Sequence, residues 1–285
     1  MLFTLGDPSA IGPVRAAIVG TRRCTRYGVD LAYELGALLA TNGVTVVSGL
    51  AKGIDAAAHT GALDASGAAP VAVVGSGLDC PYPAQNRALW GRVANAGLVC
   101  GEAPIGASPE RWRFPARNRI IAGLAQIVIV VESHVSGGSL YTAAQAIERG
   151  RPVLAVPGPI RSRASLGCNR LLADGCHPLC EPSDALIALG MAQVTVAAPA
   201  PHEVSAMELD LLEAMGWLPA TLDQLLAAGA GSLQSLALAL EVLEARGLVD
   251  QRGPWYERTA LSAFARRPNG PQDATPGACR PRRVP

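Results

Sequence analysis

The residues best equipped for chemistry gather in the stretch 111–124, RWRFPARNRIIAGL, where four arginines fall within nine positions and Phe114 stands among them. Guanidinium groups grip phosphate through paired hydrogen bonds. An aromatic ring beside them offers a face for an unstacked base. Pro115 suits the first position of a helix, which sets Arg117, Asn118 and Arg119 in a first turn whose free N–H groups also favour an anion. Ile120, Ile121 and Leu124 then form the inward face of that helix. Four arginines alone also fit a solvated basic turn paired to acids elsewhere, so the weight falls on the neighbouring loops.

Those loops belong to a regular alternation. Apolar runs at 16–19, 44–47, 71–74, 98–100, 127–131, 153–156 and 177–180 read as strands. Helix-like segments lie between them, the first with Leu31, Leu35, Leu38 and Leu39 turned inward. The pattern predicts an α/β, Rossmann-like, doubly wound and mostly parallel sheet. In such sheets the loops after the strands' carboxyl ends open on one edge, where ligands bind. That edge collects Gly20, Thr21, Arg22 and Arg23 from the first loop, Gly49, Lys52 and Gly53 from the second, and Gly75 and Gly77 from the third. After Glu132 it adds Gly137, Gly138 and Ser139. Glycine there lets backbone amides turn toward an anion.

Taken singly, each loop also fits a plain turn. Gly75-Ser76-Gly77 begins like a dinucleotide fingerprint, but Cys80 stands where the third glycine belongs, and no GK[ST] sequence occurs. Together, with Arg22 and Lys52 on them, the loops predict a phosphate-lined cleft. His59, after three alanines on a helix, reads as a packed residue rather than a catalyst.

Composition bounds the rest. With 285 residues, 49% hydrophobic, 16% charged and a formal charge of +1, the chain reads as soluble and globular, and global charge points to no partner. Lys52 is the only lysine, so nearly every positive charge is a guanidinium. Seven scattered cysteines without a CxxC pair read as reduced. No apolar run approaches the roughly 20 residues of a membrane span, and no basic-then-apolar leader follows Met1, so the expected location is the cytoplasm, with no membrane contact. Cys176, His177 and Cys180 lack a second ligand pair at zinc spacing; neither a metal nor a cofactor is expected.

Residues 1–191 form the expected Rossmann-like domain. Residues 192–203, AQVTVAAPAPHE, lose periodicity and gain prolines, which predicts a linker. Three short helical segments and a hairpin around Gly253 then predict a winged-helix domain over 204–260. The segment 232–243, where a recognition helix belongs, is nearly neutral and rich in alanine, so a protein-contact module and a DNA reader both stay open. The Arg- and Pro-rich tail over 261–285 reads as disordered.

Several of these motifs together resemble the DNA-processing protein A (DprA/Smf) family. They are Ala17-Ile18-Val19-Gly20-Thr21-Arg22 with Tyr27-Gly28, the run from Val46 through Gly49-Leu50-Ala51-Lys52-Gly53-Ile54-Asp55 to His59, and Gly77-Leu78-Asp79 with Tyr82-Pro83. Phe114-Pro115-Ala116-Arg117-Asn118-Arg119, Val156-Pro157-Gly158, Gly167-Cys168-Asn169 and Asp174-Gly175 complete the set. The resemblance runs over about 5–188 and implies a homodimer that binds single-stranded DNA and loads a RecA-type recombinase onto it during natural transformation, without catalysis.

Carried over by position, Arg22, Lys52, Arg111, Phe114, Arg117 and Arg119 would line the DNA pocket. Lys52 stands where the family more often has arginine. The loop Gly137-Gly138-Ser139-Leu140-Tyr141-Thr142 departs from its usual Ser-Gly-Ser-Leu-Ile-Thr. The first match falls almost at Met1, so the family's N-terminal helical domain is missing from this chain, either lacking in this member or truncated. Leu171, Leu172 and Leu179 are the expected dimer contacts.

Two other readings compete. Gly137, Gly138 and Thr142 with the arginine-rich helix start faintly resemble the lysine-decarboxylase-like nucleotide phosphoribohydrolases, but their catalytic glutamate is replaced here by Gln145, which supplies no carboxylate. Glu102 and Glu132 sit at strand ends and are expected to pair with the arginines. In the other reading, the winged helix carries the DNA contact and the large domain only dimerises.

Overall fold

The computed structural model describes residues 1–191, 202–217, 219–259, 262 and 265–266. The chain divides into two compact units, Met1–Ala197 and Ala198–Pro285.

In the first unit the strands are β1 (Phe3–Gly6), β2 (Arg15–Val19), β3 (Thr45–Ser48), β4 (Val71–Val74), β5 (Leu98–Gly101), β6 (Ile127–Val130), β7 (Val153–Ala155) and β8 (His177–Pro178). Their order across the sheet is β1-β5-β4-β3-β2-β6-β7-β8. All neighbours run parallel except β1, which pairs antiparallel with β5 at the edge. The Rossmann-like α/β expectation is borne out. The strand β1 was not expected, because its FTLG sequence has no clear period and three of its four residues are exposed.

The helices are α1 (Arg26–Thr41), α2 (Ile54–Asp64), α3 (Arg87–Ala96), α4 (Arg113–Leu124), α5 (Gly138–Ile147), α6 (Leu166–Ala173) and α7 (Asp184–Ala188). Alternate side chains of each strand enter opposite layers. Ala16, Ile18, Ile127 and Ile129 pack with Leu35, Leu39 and Ala58 of α1 and α2. Ala17, Val19, Val128 and Val130 pack with Ile121, Ala143 and Cys168 of α4, α5 and α6. Strands covered on both faces explain why their sequences are continuous apolar runs.

The strand order reverses at β2, which lies between β3 and β6. Loops leaving β2 and β6 therefore part to opposite sides and open a crevice at the carboxyl edge of the sheet.

The second unit begins with β9 (His202–Glu203), followed by α8 (Ala206–Met215), β10 (Ala220–Thr221), α9 (Leu222–Ala227), α10 (Leu233–Ala245), β11 (Val249–Arg252), β12 (Trp255–Arg258) and β13 (Ala265–Arg266). Ser205 with Glu208, and Thr221 with Gln224, form capping boxes that start α8 and α9. Leu211, Leu212, Leu225, Leu236, Leu240 and Leu243 fill a core closed by the β11–β12 hairpin.

The expected linker over 192–203 falls mostly outside the described residues, and its last two residues are strand β9, paired with β13. Ala265–Arg266 is thus ordered, where a disordered tail was expected, because its backbone finds a partner in β9. The rest of that tail, apart from Ser262, lies outside the described residues.

Candidate nucleic-acid interface

The crevice at the strand-order reversal is a cleft of about 1140 Å³. Its walls include Gly20, Thr21, Arg22, Arg111, Phe114, Arg117, Gly137, Gly138 and Ser139. A side pocket of about 70 Å³ shares Arg22, Tyr82, Phe114 and Arg117 and adds Gly49 and Lys52. The structure thus gathers loops from across 120 residues of sequence at one edge.

Glu132, at the end of β6, builds the first wall. It is buried; its carboxylate accepts hydrogen bonds from Thr25 N at 2.8 Å and Thr25 Oγ1 at 2.6 Å. Thr25 in turn caps α1 by accepting from the Gly28 amide at 3.2 Å. The Thr21 amide donates to the Glu132 carbonyl at 2.8 Å, so the loop carrying Arg22 is tied to the β6 loop. Among the described residues Glu132 forms no ion pair with an arginine, contrary to expectation; the carboxylate meets a helix start instead, where negative charge is favoured.

Phe114 projects from the first turn of α4. The Arg22 guanidinium lies 5.2 Å from the centre of its ring. The Tyr82 ring stands 5.4 Å away, tilted by 37°. Gly75 makes this possible, since a Cβ there would stand 3.2 Å from Phe114 Cδ1. The result is an aromatic pair with a cation on it, set beside an open cleft. Tyr82 belongs to the Tyr82-Pro83 motif shared with the family, and its partnership with Phe114 has no signal in spacing.

The loop bearing Lys52 is held from below. Leu50 takes a left-handed backbone, with φ of 52°, and is fully buried. Asn86 Nδ2 donates to the carbonyls of Leu50 at 2.9 Å and Ala51 at 3.2 Å. Buried side chains and these bonds hold a conformation that leucine otherwise avoids. Gly53, with φ of 76°, then lets the chain turn into α2.

Two of the expected phosphate-gripping arginines are placed differently. Helix α4 begins at Arg113, not Pro115, so Arg117 and Arg119 lie beyond its first turn. The amides of Arg113 and Ala116 already bond to the carbonyls of Glu110 and Trp112, and Pro115 has no N–H to offer.

Arg117 is 6% exposed and reaches inward. Its guanidinium donates to the Gly49 carbonyl at 2.8 Å and to the Val73 carbonyl, and stands 4.0 Å from the Asp55 carboxylate. Burial lowers its pKa to about 10, which still leaves it charged at neutral pH. Burial also raises the pKa of Asp55, against the pull of Arg117. Gly49 is required here because a Cβ would overlap the guanidinium. Arg117 therefore forms part of the cleft floor and braces the second and third loops, with most of its donors taken.

Arg119 pairs with Glu102 and lines neither cavity. This corrects its assignment to the pocket, and it agrees with the expectation that Glu102 pairs with an arginine. Gly53, Gly75 and Gly77 also lie outside both linings; they serve the turns and close contacts beneath. Leu179 is 2% exposed within the core, which removes it from any dimer surface, and Leu171 and Leu172 pack half-buried against the other core layer.

Arg23, expected on this edge, lines the cleft as well, and the structure adds two residues that spacing did not suggest, His134 and Arg163. Arg23, Arg111 and Arg163 have no carboxylate partner among the described residues, whereas Asp55, the one acid in the lining, faces Arg117 and also lies within the field of Arg22. The unbalanced charge is positive. Gln145 is outside the lining and bonds to Glu148 and Arg149. Among the described residues no group of three or more His, Cys, Asp or Glu could hold a metal ion. No helix among them is long and apolar enough to cross a membrane.

Comparison with known proteins places this geometry among relatives. Residues 1–190 match the family model for DNA recombination-mediator protein A. The chain is 42% identical over 265 residues to a putative DNA processing protein DprA of Mycobacterium tuberculosis, covering 90% of this chain and 68% of that one. The X-ray structure of DNA processing protein A from Streptococcus pneumoniae superposes with a TM-score of 0.62 at 41% identity, covering 65% of each chain. A structure of the Helicobacter pylori protein, described for its single-stranded DNA binding mode, gives a TM-score of 0.62 at 28% identity over 68% of this chain and 88% of that one. The chain thus spans about two thirds of the mycobacterial and pneumococcal proteins. With the family model matched along the whole sheet that forms the cleft, this chain belongs to the DNA recombination-mediator protein A (DprA) family.

Proposed function

We propose that this protein binds single-stranded DNA in the cleft, without covalent chemistry, and hands it to a RecA-type recombinase during natural transformation. The observation that carries the reading is the Phe114 ring, bearing Arg22 on one side and Tyr82 on another, at the mouth of a cleft with unpaired arginines. A base stacks on such a ring only when it is free of a duplex. Arg22 and Arg111, with Lys52 in the side pocket, supply charge for the phosphates on either side. The single-stranded DNA binding described for the Helicobacter relative supports the same ligand here. Recombinase loading, action as a homodimer and a cytoplasmic location belong to the proposal by family membership.

Charge argues for the large unit as the DNA site. Residues 202–259 of the second unit carry nine carboxylates against three arginines, and the other five arginines of that unit all fall beyond residue 259. Such a surface repels a polyanion. Helix α10 carries Glu241 and Glu244 and no basic residue, with Leu238 and Val242 exposed. That chemistry suits a protein contact.

The test is fluorescence anisotropy of a labelled oligonucleotide, single-stranded against duplex, at two salt concentrations. Salt-sensitive preference for the single strand is the expected result. Equal binding of both forms would overturn the reading.

A further inference from the structure

Two residues before Phe114 stands a second aromatic side chain, which lines neither cavity. Trp112 occupies the position that opens α4 and is 61% exposed. Its backbone is already helical. Side chains two positions apart on a helix diverge by about 200°, so Phe114 enters the cleft while the indole stands on the other side of the helix start.

A single exposed apolar side chain is ordinary, but this one is locked in place. Trp112 Nε1 donates to Glu110 Oε2 at 2.6 Å. The Arg113 guanidinium lies 4.8 Å from the centre of the indole and donates to Glu110 Oε1 at 3.1 Å. Both oxygens of one carboxylate are thus taken, and the Trp112 bond, then the Arg113 bond, hold its pKa below the ordinary value. Arg113 Nε is buried with no hydrogen-bond partner among the described residues. That arrangement costs stability, yet it keeps the guanidinium on the ring.

With one face of the indole backed by a cation, the exposure belongs to the other. A flat, rigid surface is therefore presented to solvent beside the cleft. The residue before it, Arg111, lines the cleft and has no carboxylate partner among the described residues.

We infer that Trp112 is a second stacking platform, which takes a base of the single strand beyond the one on Phe114, with Arg111 holding the phosphate between them. The inference rests on the single-stranded DNA reading of the cleft and deepens it, since the strand then leaves the cleft over the start of α4. Continuity with Phe114 and Arg111 selects this occupant. A base offers a π-face to the free side of the indole, and such stacking tolerates any sequence. The Glu110 charge, which would repel a phosphate, is offset by Arg113.

The experiment uses the full chain, Trp112→Ala, Trp112→Phe and Phe114→Ala, with labelled oligothymidylate and a labelled abasic strand of equal length, read by anisotropy over a range of salt. Trp112→Ala is expected to weaken oligothymidylate binding about tenfold, with the salt slope unchanged because no phosphate contact is lost. Trp112→Phe keeps a ring and is expected to stay within about threefold of the parent. On the abasic strand, parent and Trp112→Ala are expected to bind alike. Tryptophan emission supplies a second readout: oligothymidylate is expected to quench the parent and to leave Trp112→Phe nearly unquenched, since Trp90 is buried and Trp217 and Trp255 belong to the second unit.

Parent affinity in Trp112→Ala, with binding weakened in Phe114→Ala, would overturn the platform, leave the cleft reading intact and assign the indole to a protein contact. An equal loss on both strands, or equal quenching in parent and Trp112→Phe, would also overturn it. Failure of the parent to bind oligothymidylate would overturn the larger reading itself.

Discussion

The Arg22 guanidinium sits 5.2 Å from the centre of the Phe114 ring, joining the loop after β2 to the first turn of α4. A cation so placed polarises the ring and stays close to any phosphate whose base stacks there. Phe114→Ala is expected to cost about 1–3 kcal/mol of single-strand affinity, with little change in salt slope. Arg22→Ala is expected to lower that slope by about 0.7. Anisotropy titrations at several salt concentrations separate the two effects.

Arg117 and Arg119 should behave oppositely. Removing Arg117 leaves the Asp55 carboxylate buried without its partner, which costs about 3–5 kcal/mol of stability. Gly49→Ala, which drives a methyl group into the same guanidinium, should also lower the melting temperature. Arg119→Ala breaks only an exposed pair with Glu102, worth about 0–1 kcal/mol, and should leave single-strand affinity at the parent value. Thermal melts and anisotropy on the three variants check this, and a large loss of affinity in Arg119→Ala would contradict the placement of that side chain.

His59 makes stability depend on pH. It is fully buried on α2 and both ring nitrogens lack a hydrogen-bond partner. Burial lowers its pKa from the ordinary 6.5 to about 3. Between those values the unfolded chain takes up a proton that the folded chain refuses, so the neutral ring's contribution is present above pH 6.5 and is lost as pH falls toward 3. His59→Gln should therefore lose less stability than the parent between pH 7 and about 4.5. Urea unfolding at both pH values provides the comparison, and equal losses would remove His59 from the acid limb.

The second unit should be dispensable for the strand contact. It has its own core, so deletion of residues 204–285 is expected to leave single-strand affinity within about twofold of the parent, since the proposed phosphate contacts all lie in the first unit. Loss of binding on deletion would move the site to the second unit.

The sequence by itself determined the layered sheet, its glycine-rich edge and the family. Strands such as Ile127–Val130 are apolar because both of their faces are covered, and that requirement is written locally, residue by residue. Tertiary structure decided which charges face the cleft. Arg117 and Arg119 differ by two residues on a helix, hence by about 200° around its axis, and one enters the floor of the cleft while the other meets Glu102 outside it.

Only the strand order brings Arg22, Tyr82, Phe114 and Arg163 to one crevice, from three loops and the start of α4, far apart in the chain. The same packing placed Leu179 in the core and gave Glu132 a helix start instead of an arginine. Spacing records neighbours along the chain; the direction of a side chain and the company of a distant loop arise when the sheet closes its layers and each buried polar group must find a partner.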